Sequence, residues 1–353
     1  MPALFRSSRT VFVMDLHSEG EPVRVILGGL PPILGQSMAD KVAYFKQHLD
    51  PVRSALLLPP RGSREHLGSV LTAPCSDGGD FGVIFLDATG YLAMCGDAVI
   101  ATASAAVAAG LILGNPGQRA PNQVTEEPDQ PAGPVHMTFD TPAGAIHASV
   151  SVTQGEARQV SFANVPAFVF REGVQVRPDG LGPLQVDIAF GGNFCAIVPA
   201  DNVGVRVALE NTRTLKEVGQ AIKEAVNRTC AVSHPEMPSI NRVDLVMLYE
   251  RSDEGHYLNA VIFGDRQLVL SPCGTGSSAL LALVTSRGEL PFGRQLRSES
   301  VLGTSYYLRA LERTSVGGLP GLVPSVEGRA YVTGLYQLVL DPEDPLQAGF
   351  LVG

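Results

Sequence analysis

Cys95 and Cys273 are the two residues of this chain whose type and setting best suit chemistry, because both occur in the same sequence pattern. Each is followed by a glycine, and each comes at the same distance after a Val-Ile-Phe-x-Asp sequence, which begins at Val83 in one copy and at Val261 in the other. The copies are 178 positions apart (273 − 95). A duplicated half that carries a duplicated thiol predicts a site built between two similar domains, with one sulfur from each.

The chemistry that suits such a pair of thiols is proton transfer. We expect each cysteine to precede a helix, where the positive end of the helix dipole and the unpaired N–H groups favour the thiolate. The same N–H groups can bind a carboxylate, and the glycines let a substrate approach the backbone closely. One thiolate can then remove the α-proton of the bound molecule while the opposite thiol delivers a proton to the other face. This reaction inverts a stereocentre, and we expect it to need no cofactor.

The alternative is that both cysteines are small buried hydrophobic residues, which is common for free cysteine. For either cysteine alone that alternative is the better one, but the duplication, with a glycine after each thiol, favours catalysis. The remaining cysteines lack this setting, and we expect them to be packing residues: Cys75, Cys195 and Cys230. The glycine-rich sequence after Cys273 has neither the lysine nor the spacing of a phosphate-binding P-loop.

The elements that position the two thiols are predicted by the same repeat. In both copies a β-rich apolar run leads into Cys-Gly, and an Ala-, Leu- and Ser-rich stretch then stops at Gly110 or Gly288, as a helix does at a C-terminal glycine. Further helices are predicted at Met38–Leu49, with Ser37 as N-cap, and at Thr214–Val226. Short apolar or alternating runs predict strands at 11–14, 23–27, 136–139, 146–150, 160–162, 186–190, 195–198, 244–248, 259–263, 329–334 and 337–340.

Length and composition bound the architecture. A chain of 353 residues can form two domains that each bury a core. We predict an α/β (or α+β) chain with an N-terminal domain at 1–155 that carries Cys95 and a C-terminal domain at 156–330 that carries Cys273. The strands at about 330–353 can return to the first domain. The segment 113–134, rich in Gly, Pro, Gln and Glu, predicts a surface loop or insertion.

The charge and cysteine content exclude several classes of protein. The net charge of −9 argues against nucleic acid or an anionic membrane as a partner, and no run is apolar enough to predict a membrane span. Five cysteines do not make a disulfide framework, and neither Cys95 nor Cys273 has neighbours at metal-ligand spacing. The N-terminus lacks the pattern of a signal peptide. We therefore expect a cytoplasmic protein with free thiols and no metal. As partners we expect a small-molecule substrate only, for a monomer or a homodimer.

On these residues and on a series of further motifs, the chain resembles the proline racemase family, which includes 4-hydroxyproline 2-epimerases and trans-3-hydroxy-L-proline dehydratases. The likeness covers nearly the whole length. The further motifs are Asp15–Pro22, Gly28–Pro31, Pro60–Gly62, Gly90–Tyr91, Asn164–Pro166, Gly191-Gly192-x-Phe194, Ser271–Gly276 and Asp341–Phe350.

The resemblance implies a fold, a reaction and a set of site residues. The fold is that of diaminopimelate epimerase, with two similar α/β domains that each wrap a curved sheet around a central helix. The reaction is cofactor-independent inversion of an amino-acid α-carbon, with Cys95 and Cys273 as the acid and base. The backbone amides implied as carboxylate binders are those of Gly96, Asp97, Gly274 and Thr275.

Two departures from the family pattern bear on the substrate. Asp97 occupies the position of a usual histidine, and Val269-Leu270 replaces a usual Asp-Arg pair whose aspartate holds the substrate's ring nitrogen. One hypothesis is that Asp97 takes over as counter-ion for the substrate ammonium. The alternative is that it only stabilises the start of its helix, where aspartate is favoured. Leu67 falls where family members place a residue that contacts the ring, and it suits a proline-like ring.

Two other functions stay open at this point. The first is a dehydratase-type lyase on the same scaffold. The family's dehydratases typically carry Thr or Ser at the second thiol position, so Cys273 favours the racemase or epimerase. The second is a catalytically silent homologue that binds an amino acid, although both thiols are retained. Of two further polar candidates, His17 and His66, we expect His17 to be structural and to bond within its own turn.

Overall fold

A computed structural model describes residues 8–112 and 134–351, and these form two compact units. The first consists of the described residues of Met1–Ala93, Asp97–Phe162 and Gly328–Gly353, and the second of Met94–Gly96 and Ala163–Glu327. Apart from its last residue, the loop predicted at 113–134 lies outside the described residues.

The first unit is an open sheet with three helices. Its strands follow the order β18, β1, β2, β3, β4, β6, β7, β8, with the short β5 paired to β4. Their bounds are β1 Arg9–Ser18, β2 Glu21–Gly28, β3 Leu67–Thr72, β4 Phe81–Leu86, β5 Tyr91–Leu92, β6 Val135–Thr141, β7 Gly144–Thr153, β8 Glu156–Ala163 and β18 Ala330–Leu340. The helices are α1 Met38–His48, α2 Asp50–Leu57 and α3, which begins in the other unit, Gly96–Ala108.

The second unit is a sheet that closes on itself. Its strands follow the order β9, β10, β11, β12, β13, β15, β16, β17, and β17 pairs back to β9 through Leu322 and Ala167. Their bounds are β9 Ala167–Val176, β10 Leu184–Phe190, β11 Phe194–Pro199, β12 Val243–Arg251, β13 Tyr257–Phe263, β14 Gln267–Leu268, β15 Leu296–Glu299, β16 Ser305–Val316 and β17 Leu319–Gly328. The helices are α4 Thr212–Thr229 and α5 Gly274–Ser286.

The two units share one topology, so the repeat seen in the sequence extends through each half. From β1 to β8 the successive pairings are antiparallel, parallel, antiparallel, parallel, antiparallel and antiparallel, and β10 to β17 follow the same series. In each unit the two parallel pairings enclose crossover helices, as such pairings require. The cysteine-bearing helices α3 and α5 occupy the same crossover, after β5 and after β14.

The ends of three helices confirm the residues predicted to stand there, which are the N-cap Ser37 and the C-terminal glycines Gly110 and Gly288. Ser37 forms a capping box with Asp40, which confirms it as the N-cap of α1. Helix α3 ends with the N–H of Gly110 bonded to Val107 and that of Leu111 bonded to Ala106. Helix α5 ends in the same way, with Gly288 bonded to Thr285 and Glu289 to Val284. Both glycines have a left-handed φ, as this type of C-terminus requires.

The two cysteine-bearing helices are core elements. Ala98–Ala106 in α3 and Gly274–Val284 in α5 are buried on every side, which is typical of a helix enclosed by its domain. Helix α5 packs on β9, β10, β11, β12 and β16. Within 8–112 and 134–351, no helix is both long enough and apolar enough to cross a membrane.

Candidate active site

Cys273 occupies a strained turn between β14 and α5. Its φ of 61° and ψ of 99° lie in a region that residues other than glycine rarely adopt. The sulfur accepts a hydrogen bond from the Gly276 N–H at 3.4 Å and lies 3.6 Å from the Thr275 hydroxyl. The residue is only 4% exposed. A backbone N–H bonded to the sulfur at a helix N-terminus favours the thiolate.

Cys95 occupies the corresponding position before α3 and is 7% exposed. The segment Met94–Gly96 belongs to the second compact unit, the one that also contains Cys273. The Asn193 side-chain amide lies 3.5 Å from the Met94 carbonyl. A Cβ built on Gly274 would lie 3.3 Å from the Gly96 Cα. Glycine at both positions therefore allows the starts of α3 and α5 to approach backbone to backbone.

A second pair of glycines packs on the first turn of α5. A Cβ on Gly191 would lie 2.3 Å from the Thr275 carbonyl oxygen, and a Cβ on Gly192 would lie 3.0 Å from the Thr275 methyl and 3.4 Å from the Met94 Cγ. The turn between β10 and β11 can approach α5 this closely because it carries no side chains at these two positions. The cysteine-glycine segments of both copies thus pack around one turn of the second unit.

Comparison with known proteins assigns the chain to a family. The profile of the family described as proline racemase matches residues 13–351. A proline racemase of Clostridioides difficile is 40% identical over 347 residues, which cover 98% of this chain and 99% of that protein. The chain belongs to the proline racemase family. It is an isomerase, and its family supports a racemase or epimerase function.

Other members confirm the assignment and the fold. A 4-hydroxyproline 2-epimerase of Streptosporangium roseum is 36% identical to this chain, over 98% of the chain and 100% of that protein. A crystal structure of a hydroxyproline epimerase from Agrobacterium vitis with bound trans-4-OH-L-proline superposes with a TM-score of 0.88 at 28% identity, covering 99% of this chain and 96% of that one. The predicted diaminopimelate epimerase-like architecture is thereby confirmed.

The remaining predicted site residues of this proline racemase family member are divided between the units. Asp97 is in the first unit, in the first turn of α3, and is 4% exposed. Burial raises the pKa of Glu19, and the charge of Asp97 raises it further. The two carboxylates are therefore close enough to interact electrostatically. The carboxylate of Glu19 accepts the Arg329 N–H at 3.1 Å.

The two apolar candidates are buried at the ends of strands. Leu67 begins β3 in the first unit and is paired with Val23 of β2. In the second unit Val269 follows β14, and its N–H donates to the Val261 carbonyl at 2.9 Å. The neighbouring Leu270 is partly exposed. The side chains of Leu67 and Val269 are both enclosed, at 4% and 7% exposure.

The histidines and the other cysteines have structural settings. The ring of His17 accepts the Gly20 N–H at 3.2 Å, which confirms a bond within its own turn. His66 accepts the Ser63 N–H at 3.0 Å, and burial lowers its pKa. Cys195 and Cys230 are buried, as expected. The expectation that Cys75 packs in a core is wrong, because its side chain is exposed.

Burial raises the pKa of Cys195 well above the usual thiol value, and the neighbouring Cys273 raises it further. Cys195 therefore stays a neutral thiol beside the second cysteine.

Several polar residues around Cys273 were not predicted as site residues, although two of them, Asn164 and Ser271, lie in the motifs named above. They are fully or almost fully buried and hydrogen-bonded to one another or to the cysteine turn: Asn164, Asn259, Ser271, Ser277, Ser278 and Ser298. One signal for them was available. The serine pair at 277–278 interrupts an apolar core helix, where buried hydroxyls need partners.

Proposed function

We propose that this protein inverts the α-carbon of proline, a hydroxyproline or a related amino acid without a cofactor, with Cys95 and Cys273 as acid and base. The observation that carries the proposal is the pair of buried Cys-Gly turns. Each precedes a core helix, and the two glycines Gly96 and Gly274 are in near contact within one unit. The known activities of the relatives from C. difficile and S. roseum, given by their names, support this choice of substrate class.

In the proposed reaction one cysteine is a thiolate and the other a thiol. The thiolate takes the α-proton, and the electron pair of the broken C–H bond is delocalised into the substrate carboxylate. The thiol then delivers its proton to the opposite face of the α-carbon, so the two sulfurs exchange protonation states. The N–H groups of Gly96, Asp97, Gly274 and Thr275 bind the carboxylate, whose negative charge increases in the intermediate. Helix N-termini suit this charge because their N–H groups and dipoles are already oriented.

Asp97 is proposed as the counter-ion of the substrate's ammonium nitrogen. Its carboxylate is buried one residue from Gly96, and the usual acidic position on the other side is occupied by Val269. The charge of Asp97 already acts on Glu19, and the same charge at the start of α3 would attract a cationic substrate nitrogen. Leu67 and Val269 are the apolar residues proposed for contact with the ring of a proline-like substrate.

The experiment that tests the proposal is α-proton exchange. L- and D-isomers of proline, 4-hydroxyproline and open-chain amino acids are incubated with the protein in D₂O, and deuterium at the α-carbon is followed by NMR. We expect exchange with inversion for at least one cyclic substrate, and its loss in both Cys95→Ser and Cys273→Ser. Cys75→Ser, which changes an exposed thiol, is the matched control and should keep full activity.

Other outcomes would replace the proposal. Loss of water with formation of a keto product would identify a dehydratase. Binding of an amino acid without any exchange would identify a silent homologue. A Cys273→Ser protein that still inverts its substrate at full rate would rule out the two-thiol mechanism.

The role of Asp97 is tested with two variants. Asp97→Asn keeps a side chain that can cap the helix but removes the charge, and Asp97→Ala removes both. If Asp97 is the counter-ion, both variants should raise the KM at least about tenfold, because a charged hydrogen-bonded pair is lost. If it only stabilises the helix, Asp97→Asn should retain the KM of the unmodified protein.

A further inference from the structure

A chain of buried hydroxyl groups ends on the peptide carbonyl that precedes Cys273. The side-chain amide of Asn259 donates to Ser298 Oγ at 2.7 Å, and Ser298 Oγ lies 2.7 Å from Ser277 Oγ. Ser277 Oγ in turn donates to the Pro272 carbonyl at 2.7 Å. Asn259, Ser298 and Ser277 are at most 1% exposed, so water does not compete for these bonds. We call this chain the Asn259 relay.

The chemistry of its members fixes the direction of the Asn259 relay. A carbonyl can only accept, so the Ser277 proton is committed to Pro272. Ser277 must then accept the proton of Ser298, and Ser298 must accept from a donor, which is the amide nitrogen of Asn259. The Asn259 carbonyl oxygen has no hydrogen-bond partner among the described residues. Each hydroxyl in the chain therefore has a single orientation.

A second, shorter chain holds the carbonyl on the other side of the cysteine. The Asn164 side-chain amide donates to Ser278 Oγ at 3.0 Å and to the Gly191 carbonyl at 2.9 Å. Ser278 Oγ donates to the Gly274 carbonyl at 2.7 Å. The same asparagine therefore fixes the first turn of α5 and the glycine turn that packs against it.

These bonds matter because the backbone of Cys273 is strained. A non-glycine residue with a φ of 61° persists only where its surroundings hold it. A trans peptide is planar, so a fixed carbonyl also fixes the direction of the N–H on its other side. The bond to Pro272 therefore orients the N–H of Cys273 toward Ser271, which accepts it at 3.0 Å. The bond to Gly274 orients the N–H of Thr275 away from the helix.

The first copy of the repeat is built differently. The positions that correspond to Ser277 and Ser278 are Val99 and Ile100, both buried and without hydroxyl groups. The hydroxyl bonds that Ser277 and Ser278 make to the cysteine turn before α5 therefore have no counterpart from these two positions of α3.

We infer that Ser277, Ser298 and Asn259 are positioning residues that fix the sulfur of Cys273 through the carbonyl of Pro272. This inference rests on the proposed function, which gives Cys273 its chemical role. It predicts that breaking the Asn259 relay far from the sulfur changes the reactivity of Cys273 and leaves that of Cys95 unchanged.

The test uses Ser298→Ala, which removes a hydroxyl that touches neither cysteine. The alkylation rate of each thiol by iodoacetamide is measured against pH, with Cys273 and Cys95 resolved by peptide mass spectrometry. We expect the pH profile of Cys273 to shift and that of Cys95 to stay. The kcat of α-proton exchange should fall about tenfold or more, with little change in KM, because a displaced base loses its alignment. Ser300→Ala, which removes a buried hydroxyl two residues further along, is the matched control and should change neither.

A second variant keeps the test decisive if Ser298→Ala folds poorly. Ser277→Ala cuts the same relay inside α5, where alanine favours the helix. The two substitutions should give the same loss, and the double variant should lose no more than either single one, because both break one chain. Unchanged Cys273 alkylation, equal shifts at both thiols, or fully additive losses would each overturn the inference. Alkylation needs no substrate, so it tests the relay even if no amino acid is racemised.

Discussion

Replacement of Gly191 by alanine should weaken the second unit through one steric contact. The new Cβ would lie 2.3 Å from the Thr275 carbonyl oxygen, 2.5 Å from the Ala279 nitrogen and 2.8 Å from the Ser278 Cβ. The first two are backbone atoms of α5, which cannot rotate away as the end of a flexible side chain can. The φ of Gly191 lies outside the left-handed region, so alanine adds no backbone strain and the effect is steric alone.

The size of the effect follows from the rigidity of these obstacles. Overpacking of a core typically costs about 1–3 kcal/mol, and we expect the upper end because helix backbone must move. For a unit of this size, 1 kcal/mol lowers the melting temperature by about 2–4 °C, so the expected decrease is about 6–12 °C. Because the displaced turn carries the N–H of Thr275, the KM of the substrate should also rise.

The measurement is thermal unfolding by calorimetry, together with steady-state kinetics. Gly182→Ala is the matched control, since its Cβ would meet no atom within 4 Å and its φ is not left-handed. The control should stay within about 0.5 kcal/mol of the unmodified protein. If Gly191→Ala had the same melting temperature and the same KM as the control, the contact of Gly191 with α5 would not be needed to hold the first turn of that helix in place.

Three further predictions concern the first unit. Burial opposes the ionisation of Asp140, but hydrogen bonds from Ser76 hold its pKa below the usual 3.8. The ionised carboxylate therefore stabilises the folded state at neutral pH, and this stabilisation is lost as the pH falls through the folded-state pKa. Asp140→Asn should therefore lower the free energy of unfolding in urea by about 1–3 kcal/mol at neutral pH, and the difference should shrink in acid. Arg24 binds the carboxylate of Asp15 through two nitrogens and donates to two backbone carbonyls. Arg24→Lys should therefore lower the free energy of unfolding by about 2 kcal/mol in the same assay. An unchanged free energy would contradict the role of the planar guanidinium. Leu340→Ala should lower the free energy of unfolding by about 2–5 kcal/mol because Leu340 is in the core. Leu335→Ala, at a residue that is 68% exposed, should change it by no more than about 0.5 kcal/mol. Equal effects would contradict the assigned orientation of β18.

The parts of this fold that were predictable are those with local signals. The helix before Gly110 and the helix before Gly288 could be placed because a left-handed glycine marks a helix end within one turn. The strands before Cys95 and Cys273 could be placed because their apolar runs are short and bounded by turn residues. The repeat then supplied what local signals cannot, which is that both halves share one topology.

The parts that escaped prediction depend on tertiary contacts. Strands β15, β16 and β17 were not foreseen. Strand β15 has only four residues, a bulge between Ala310 and Glu312 breaks the alternation along β16, and prolines interrupt β17. The relay at Cys273 joins Asn259 to Ser298 across 39 positions, and Asn164 reaches Ser278 across 114. A serine in a sequence does not reveal its partner at such a distance. The two cysteines could be found from the sequence by their type and repetition. The asparagines and serines that support the turn of Cys273 could not.

The pairing of β1 with β18 also sets the order in which this protein can fold as it is synthesised. Arg9 to Ser18 leave the ribosome before the second unit does, but their partners, Leu340 to Ala330, follow only after the entire 163–327 segment. The second unit closes its own sheet and has all its strands by residue 328. Domains usually fold in the order of their synthesis, and here the order is reversed. Until β18 arrives, β1 presents an unpaired edge to other nascent chains, which is the feature that favours aggregation.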